Sequence, residues 1–465
     1  MSEREPERRS VAIIGAGAAG TMTAIRLLRR AARSRVPLRV LLIDRGSAVG
    51  RGLAYATEDR RHLLNVPAGR MSADPDRPLD FVRWLASSTG RPVGEHEFAP
   101  RVAFGRYLAD RLADARRACA PATVRRISAC VMDVRCEPDG VRLRLDSGAL
   151  LDADGAVLAI GVFPPSCAWA PEDLRSSPRF VADPWAPGAL DSVPPSEDVL
   201  LVGTGLTMID LALSLDRPGR ALHAVSRHGL LPQAHAGTPG APAILPALPG
   251  PVGLDSLRAT VIRQVAVARR GTGDWRAAID GVRPFAATWW TSLPIADRAR
   301  FLQRDRRIWD VHRHRMPAST AAHIADLRSR GRLVVHTGEV TGVARTGTRL
   351  CVRLSTGISL PVGAVLNCTG AQEELGKTGD ALVEDLLSTG RARPGPLGLG
   401  LDTSVDGRLL PGDHELPTAP LWTLGSIRRG NLWETTAFPE IRAQSDQIAA
   451  DVMATVDRTG QPCHN

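Results

Sequence analysis

Apolar and polar positions along this chain keep switching between two rhythms. Val11 to Ile14 is an unbroken apolar run, followed by glycines and then by a three-to-four-residue apolar period through Arg33. A short continuous run predicts a strand buried on both faces, and the longer period predicts an amphipathic helix. Leu38 to Ile43 predicts the next strand. Residues 79–119 predict amphipathic helix, with Phe81, Trp84, Leu85, Tyr107, Leu108 and Leu112 on apolar faces. From Val124 to Asp146 the rhythm becomes strict alternation with a turn at Asp139-Gly140, which predicts antiparallel strands. Residues 154–161 return to a buried strand ending in glycine.

The succession then repeats. A proline-rich linker is predicted over 164–195, then a buried run at Val199–Val202, a helix, and a strand at Ala221–Ser226. Residues 237–253 are rich in Gly, Pro and Ala and predict loop, and 254–330 predict helices, one of them stopped by Pro317. Leu333 to Leu360 alternates again, and Ala364 to Gly370 mirrors 154–161. The two mirrored strands are expected where the chain leaves and re-enters its first domain. Leu421 to Ser426 predicts a last strand, and Trp433 to Glu440 opens a helix running to Met453.

The glycines behind the two buried runs carry the chemistry. Gly15-x-Gly17-x-x-Gly20 lies between a strand and a helix, where the first glycine makes the turn. The second lets backbone amides approach a pyrophosphate, and the third lets the helix pack on the strand. Asp44 ends the next strand, placed to accept hydrogen bonds from an adenosine ribose. The second run continues into Gly203-x-Gly205, with Met208 replacing the third glycine, so that helix must pack differently. Its next strand ends in Ser226-Arg227-His228, and an arginine at this place suits a ribose 2′-phosphate, favouring NADPH over NADH. The fold class expected is α/β, with two Rossmann-like dinucleotide-binding domains, β-meander insertions and a helical segment. The first domain is expected to combine residues 1–190 and 335–465, and the second to span 191–334 with the helices.

Composition narrows the alternatives. With 465 residues, 43% hydrophobic and 23% charged, the chain is an ordinary globular one of two or more domains. The net charge of +10 invites a nucleic-acid partner, but its arginines are scattered and its single lysine is Lys377, so none is expected. No apolar run reaches membrane-spanning length, and the first ten residues are charged, so neither membrane nor secretion is expected; cytoplasm is. Seven cysteines without a C-x-x-C argue against a disulfide framework, a zinc site and a redox-active disulfide, and no metal is expected.

Between the motifs lie further candidate residues. The Gly- and Pro-rich stretch 50–71 reads as a loop passing under a bound ring, with Asn65 offering hydrogen bonds. In the run His312-Arg313-His314-Arg315, Arg313 and His314 are candidate catalytic cations. The other reading is that they complement the carbonyl end of their helix. Gly370 and Gly425 end buried strands, and Thr435 and Thr436 stand near a helix start whose amides suit the electron-rich edge of a flavin.

Taken in order, GAGAAG, GRGLAYAT, HLLNVPAGRM, GTGLTMID, SRHGLLP, WDVHRHR, NCTG and LWTLGSIRRGNLWETTAFPEIR span nearly the whole chain. In these the chain resembles the bacterial FAD/NAD(P)-binding oxidoreductases, flavoproteins with two dinucleotide-binding domains that include flavin monooxygenases. The resemblance implies FAD on Gly15, Gly17, Gly20 and Asp44, with the isoalloxazine near Asn65 and the segment from Gly425 to Thr436. It implies NADPH on Gly203, Gly205 and Arg227, and leaves open how tight the second site is with Met208 there. Ala159-Ile160-Gly161, where many relatives have Ala-Thr-Gly, should alter little. The implied activity is an NADPH-dependent FAD monooxygenase acting with O2, through a C4a-(hydro)peroxide of the flavin, on a small nucleophile, foremost an amine. Alternatives are a flavin reductase or dehydrogenase passing electrons to a carrier, a hydroxylase of a heteroaromatic such as urate, and a redox-sensing module without turnover. Oligomeric state is open, a homo-oligomer included.

Overall fold

Each of the two buried apolar runs becomes the central strand of its own five-stranded parallel sheet. In the computed structural model, the described residues are 9–458 without 47, 139, 238–239, 246–252 and 413–417. Asp139 of the expected turn and most of the expected 237–253 loop therefore lie outside them.

The first sheet starts with β1 (Arg9–Ile14), helix α1 (Ala18–Ser34) and β2 (Leu38–Ile43). The Gly- and Pro-rich stretch that follows contains only the short helix α2 (Gly52–Tyr55) and one 3-10 turn at Ala68–Arg70. The amphipathic stretch splits into α3 (Asp80–Thr89) and α4 (Arg101–Ala118), parted where Gly90 adopts a left-handed conformation. Next come β3 (Thr123–Ile127), an antiparallel meander of β4 (Val131–Glu137), β5 (Gly140–Leu145) and β6 (Leu150–Ala153), and β7 (Gly155–Leu158) beside β1.

The second sheet begins inside the proline-rich stretch, with α5 (Glu172–Arg175) and β8 (Phe180–Val181). β9 (Val199–Val202), α6 (Leu206–Leu215) and β10 (Leu222–Ser226) repeat the first unit's opening. A helical layer is inserted here: α7 (Leu254–Thr272), α8 (Arg276–Val282), α9 (Ala286–Ser292), α10 (Ile295–Arg304) and α11 (Arg306–Arg313). After α12 (Ala318–Ser329) come β11 (Leu333–Thr337), the meander β12 (Val340–Thr346), β13 (Arg349–Leu354) and β14 (Ser359–Val362), and β15 (Ala364–Asn367). The chain then returns through α13 (Ala381–Ser388), β16 (Leu421–Thr423), α14 (Arg429–Leu432) and α15 (Phe438–Arg458), with β16 joining the first sheet and α15 packing on α1.

The sheet orders are β16-β7-β1-β2-β3 and β8-β15-β9-β10-β11, so one architecture is used twice. Three expectations are corrected by it. β3 and β11 are parallel edge strands of the large sheets, not members of the antiparallel meanders. The proline-rich stretch is no free linker, since β8 pairs with β15 and Val181, Ala189 and Leu190 join the second core. β15 lies in the second sheet, and the 340–362 meander packs against Leu200, Val202 and Val225. Residues from about 164 to 370 therefore surround the second sheet, and the chain crosses between sheets where Phe163 bridges Gln372.

Both faces of β1 are buried, Val11 and Ile13 on the side of α1 and α15, Ala12 and Ile14 on the side of the first meander. Truncating a fully buried residue such as Ile13 costs about 2–5 kcal/mol, which is why an uninterrupted apolar run is needed at this place.

Candidate active site

The two glycine turns have the same geometry. Gly15 has φ +105°, and a Cβ there would lie 2.4 Å from the Ala159 carbonyl oxygen; Gly203 has φ +108°, and its Cβ would lie 2.3 Å from that of Cys368. Each turn is tied to the neighbouring strand by its own amide, Gly15 N–H to Ile43 O and Gly203 N–H to Val225 O, both at 2.7 Å. The helices differ where Gly20 is replaced by Met208. A Cβ on Gly20 would sit 1.8 Å from the Gly15 carbonyl oxygen, so α1 packs with no side chain between. Met208 is fully buried in the second core, where its side chain packs among the residues of α6 and the second sheet.

α1 starts at Gly17 without a side-chain cap or an acidic residue in its first turn. The first helix amide with a backbone acceptor is that of Thr21, which leaves those of Ala18, Ala19 and Gly20 for an anion. Asp44 accepts from Ala16 N–H at 2.6 Å and Gly46 N–H at 2.7 Å, holding the turn and keeping lone pairs free for hydroxyls. α6 likewise starts uncapped, and a Cβ on Gly205 would meet nothing within 4 Å. In place of an acid the second turn has Ser226, which shares a 2.8 Å hydrogen bond with the buried Thr204. Arg227 and His228 beyond it are exposed. Arg307 from α11 reaches the same turn, donating to Thr204 Oγ1 and Leu230 O at 3.1 Å each. Burial, and then its neighbours Arg306 and Arg227, lower its pKa against the pull of Asp310.

Between the sheets lies a cavity of about 50 Å³ bordered by Gly161, Gln372, Glu373, Ser426, Arg429 and Thr436. The turn at Gly425 is braced from behind. Its amide donates to Gln444, its carbonyl accepts from Thr435, and Gln444 in turn donates to Thr435 Oγ1. The hydroxyl of Thr435 is thus spent on the turn, whereas Thr436 is exposed. The fully buried Arg428 pins the same segment by hydrogen bonds to Thr403, Ser404 and Val405, and burial lowers its pKa to about 10.

Beside this cavity, α11 and the 425–436 segment meet in a buried charged and aromatic cluster. Arg313 pairs with Glu434 at 3.3 Å, and Trp309 donates to the same carboxylate at 3.0 Å. Glu373 receives both Arg306, at 2.7 Å, and Arg429, at 2.5 Å. Burial alone would raise the Glu434 pKa, but Arg313, His314, the Trp309 bond and Arg429 together bring it below the ordinary value. Trp433 sits in the middle with φ +59° and ψ −70°, a conformation that costs a non-glycine residue about 1–3 kcal/mol. Packing holds it there: Trp290 stacks at 5.0 Å, Phe301 meets its edge at 5.2 Å, and Arg429 lies 4.4 Å over its ring.

A second polar cluster joins the two sheet units. Arg101 at the start of α4 pairs with the buried Asp210 of α6 at 2.7 Å. His62 Nε2 donates to Asp210 O at 3.0 Å and contacts Ser214 Oγ at 2.9 Å, while Thr57 donates to Nδ1 at 2.7 Å. Burial holds the His62 imidazole below its usual pKa, so the neutral ring these bonds require is the favoured form. Nearby, His235 Nε2 donates to Asn65 O at 3.0 Å, and burial lowers its pKa to about 4.

Residues 12–163 match the family model described as FAD-NAD(P)-binding. No curated protein matches the chain. Among solved structures, the chain is similar to the reduced form of ornithine hydroxylase from Pseudomonas aeruginosa, with 16% identity and TM-score 0.62 over 97% of this chain and 100% of that one. It is similar to the FAD-bound cadaverine monooxygenase of desferrioxamine biosynthesis from Erwinia amylovora, with 14% identity and TM-score 0.62 over 97% and 95%. It is also similar to a bacillithiol disulfide reductase from Staphylococcus aureus, with 13% identity and TM-score 0.54 over 96% and 98%. The chain has the two-dinucleotide-domain flavoprotein fold. Flavin-dependent oxidoreductases, monooxygenases among them, share it. Among the described residues no helix is long and apolar enough to cross a membrane, and no group of side chains could hold a metal ion.

Within this flavoprotein fold the expected residues fall into separate places. Gly15, Gly17, Gly20 and Asp44 come together at the first turn, and Gly203, Gly205, Arg227 and Gly370 lie at the ends of second-sheet elements. Gly425, Thr435 and Thr436 gather at the small cavity and its brace. Asn65 stands at the junction of the units, its side chain without a hydrogen bond among the described residues. Arg313 is not a free cation, because Glu434 takes it, and His314 lies 4.0 Å from Asp310. Not anticipated as site residues were Arg307, at the Gly203 turn, and Trp433, Glu434 and Glu373, which the return of the chain after β15 brings against α11.

Proposed function

We propose that this chain is an NADPH-dependent FAD monooxygenase that delivers one atom of O2 to a small nucleophilic substrate, with amine N-oxygenation the favoured reaction. The observation that carries this reading is the pair of glycine turns of matching geometry, one beside an acid, Asp44, and one beside an exposed arginine, Arg227.

The residues present fit both groups. The free first-turn amides of α1 and the carboxylate of Asp44 would hold the pyrophosphate and ribose of FAD, with the ring system at Asn65, Gly425, Thr435 and Thr436. The open Gly205 position and Arg227 would hold NADPH, and Arg307 stands ready as a second guanidinium. When bound, the flavin supplies two-electron transfer and O2 activation. The overall balance is NADPH, a proton, O2 and substrate giving NADP+, water and the oxygenated substrate. The chain's own part is to bind, orient and exclude water: the braced turn at Gly425 presents backbone groups at fixed positions, and Trp433 and its aromatic neighbours keep that side dry. Ornithine hydroxylase and cadaverine monooxygenase, with folds like this one, act on amines, which supports the choice of nucleophile.

The rival, a reductase that passes electrons onward, is disfavoured for disulfide acceptors by the lack of a C-x-x-C. Stoichiometry in air separates the two. A monooxygenase forms one oxygenated product per NADPH when a suitable amine or heteroaromatic is supplied. A reductase consumes NADPH with artificial acceptors alone and yields no oxygenated product with any such compound.

A further inference from the structure

The helical layer encloses a second, larger cavity of about 300 Å³, far more apolar than the one between the sheets and within the size range of small-molecule sites. Its walls come from α7, α8, α9, α10 and α11, and Trp433 closes one side. The polar handles of two of its four tryptophans, Trp290 and Trp309, are turned elsewhere. Trp290 Nε1 donates to Gly430 O at 2.7 Å, and Trp309 Nε1 to Glu434 at 3.0 Å, so the cavity meets ring carbons. Arg258, Asp305 and His312 are its polar lining residues; Asp305 Oδ2 is buried without a hydrogen bond, its other oxygen lying 3.3 Å from Arg258. At the rim, Ile262 and Ile308 line the cavity and are 64% and 56% exposed, an apolar edge that a soluble chain gains nothing by displaying unless something apolar enters there.

We propose that this cavity binds the substrate, and that the substrate is a ring-bearing, largely apolar molecule with one hydrogen-bond donor for Asp305, such as an arylalkylamine. This rests on the monooxygenase reading only in calling the ligand a substrate. Trp433 connects the two: it lines this cavity, and it belongs to the segment that continues to Thr436 at the small cavity between the sheets. Its strained backbone is what directs its ring into the helical layer while the chain on either side remains at the inter-sheet site. An α-amino acid such as ornithine fits poorly, because its carboxylate and two ammonium groups would be stripped of water against a wall of mostly aromatic and aliphatic carbon, where Arg258 and Asp305 already pair with each other and His312 is the remaining polar lining residue.

Isothermal calorimetry on the protein as purified tests this, with 4-phenylbutylamine and L-ornithine as probes and the flavin spectrum recorded separately. The expected result is that 4-phenylbutylamine binds at least tenfold more tightly than L-ornithine. A286F, which fills the cavity, should weaken it at least tenfold while the protein keeps its melting temperature, and L257F serves if A286F does not fold. Ornithine binding as tightly as 4-phenylbutylamine, or a filled cavity that leaves its affinity unchanged, overturns the proposal. Because binding is read directly, a protein that takes up the arylalkylamine but contains no flavin would sink the monooxygenase reading and leave the cavity's ligand class standing.

Discussion

At the scale of single residues, two arginines stand in opposite surroundings, Arg227 in water and Arg313 in the interior. Arg227 is exposed and has no ion pair among the described residues, so its guanidinium is available to a 2′-phosphate. A charge-assisted contact of this kind contributes about 1.5–3 kcal/mol, or roughly 10–150-fold. R227A is therefore expected to raise KM for NADPH by that factor and leave KM for NADH nearly unchanged, measured by steady-state oxidation of each. Arg313 is the opposite case. It and Glu434 are both about nine-tenths buried, so R313A leaves a carboxylate without its main counter-charge and should cost about 3–5 kcal/mol. Thermal melting checks this: the double change R313M/E434L, which removes both charges, should recover much of the loss. The tight turns at Gly15 and Gly203 were legible in the sequence because a glycine with φ above +100° between an apolar run and a helix leaves a local mark. Glu434 and Trp433 were not, because nothing local distinguishes a paired glutamate or a strained tryptophan from any other.

At the scale of elements, apolar rhythm revealed burial well and partner poorly. β1, β7, β9 and β15 are buried runs and were recognised as such, and β2 and β10 were recognised as strands. β3 and β11 are partly exposed edges that continue straight into alternating stretches, and a short mixed apolar and polar run reads the same at a parallel edge as in a meander hairpin. β8 is two residues long, below the length at which any period can be seen. α6 provides an element-scale prediction. Met208 occupies space that a glycine would leave empty, so M208G should cost about 3 kcal/mol or more from the lost core volume and from glycine's helix penalty, read by denaturant unfolding. If M208G proved as stable as the parent, Met208 would not be filling core volume here.

At the scale of the whole molecule, one sheet order used twice requires something to fix the two units against each other, and the Arg101–Asp210 pair with the His62 bonds does this. His62, His235 and His314 all have pKa values lowered by burial. Each binds fewer protons folded than unfolded, so their stabilising contribution is complete above the unfolded value of about 6.5. It is lost as pH falls through the folded values, which for His235 is about 4. Melting temperature should therefore fall between pH 7 and 4, and H62Q, which keeps an amide at the junction but cannot titrate, should flatten that fall. A slope identical to the parent's would remove His62 from the account.

The central claim is that two like turns seat two dinucleotides, one of which reduces the other. The most direct measurement is anaerobic titration of the purified protein with NADPH while the visible flavin absorbance is followed. The account predicts a yellow protein bleached by about one equivalent of NADPH, with G203A keeping its colour but bleaching far more slowly, and G15A purifying without flavin. A colourless parent protein, or a bound flavin that NADPH leaves oxidised, would contradict it.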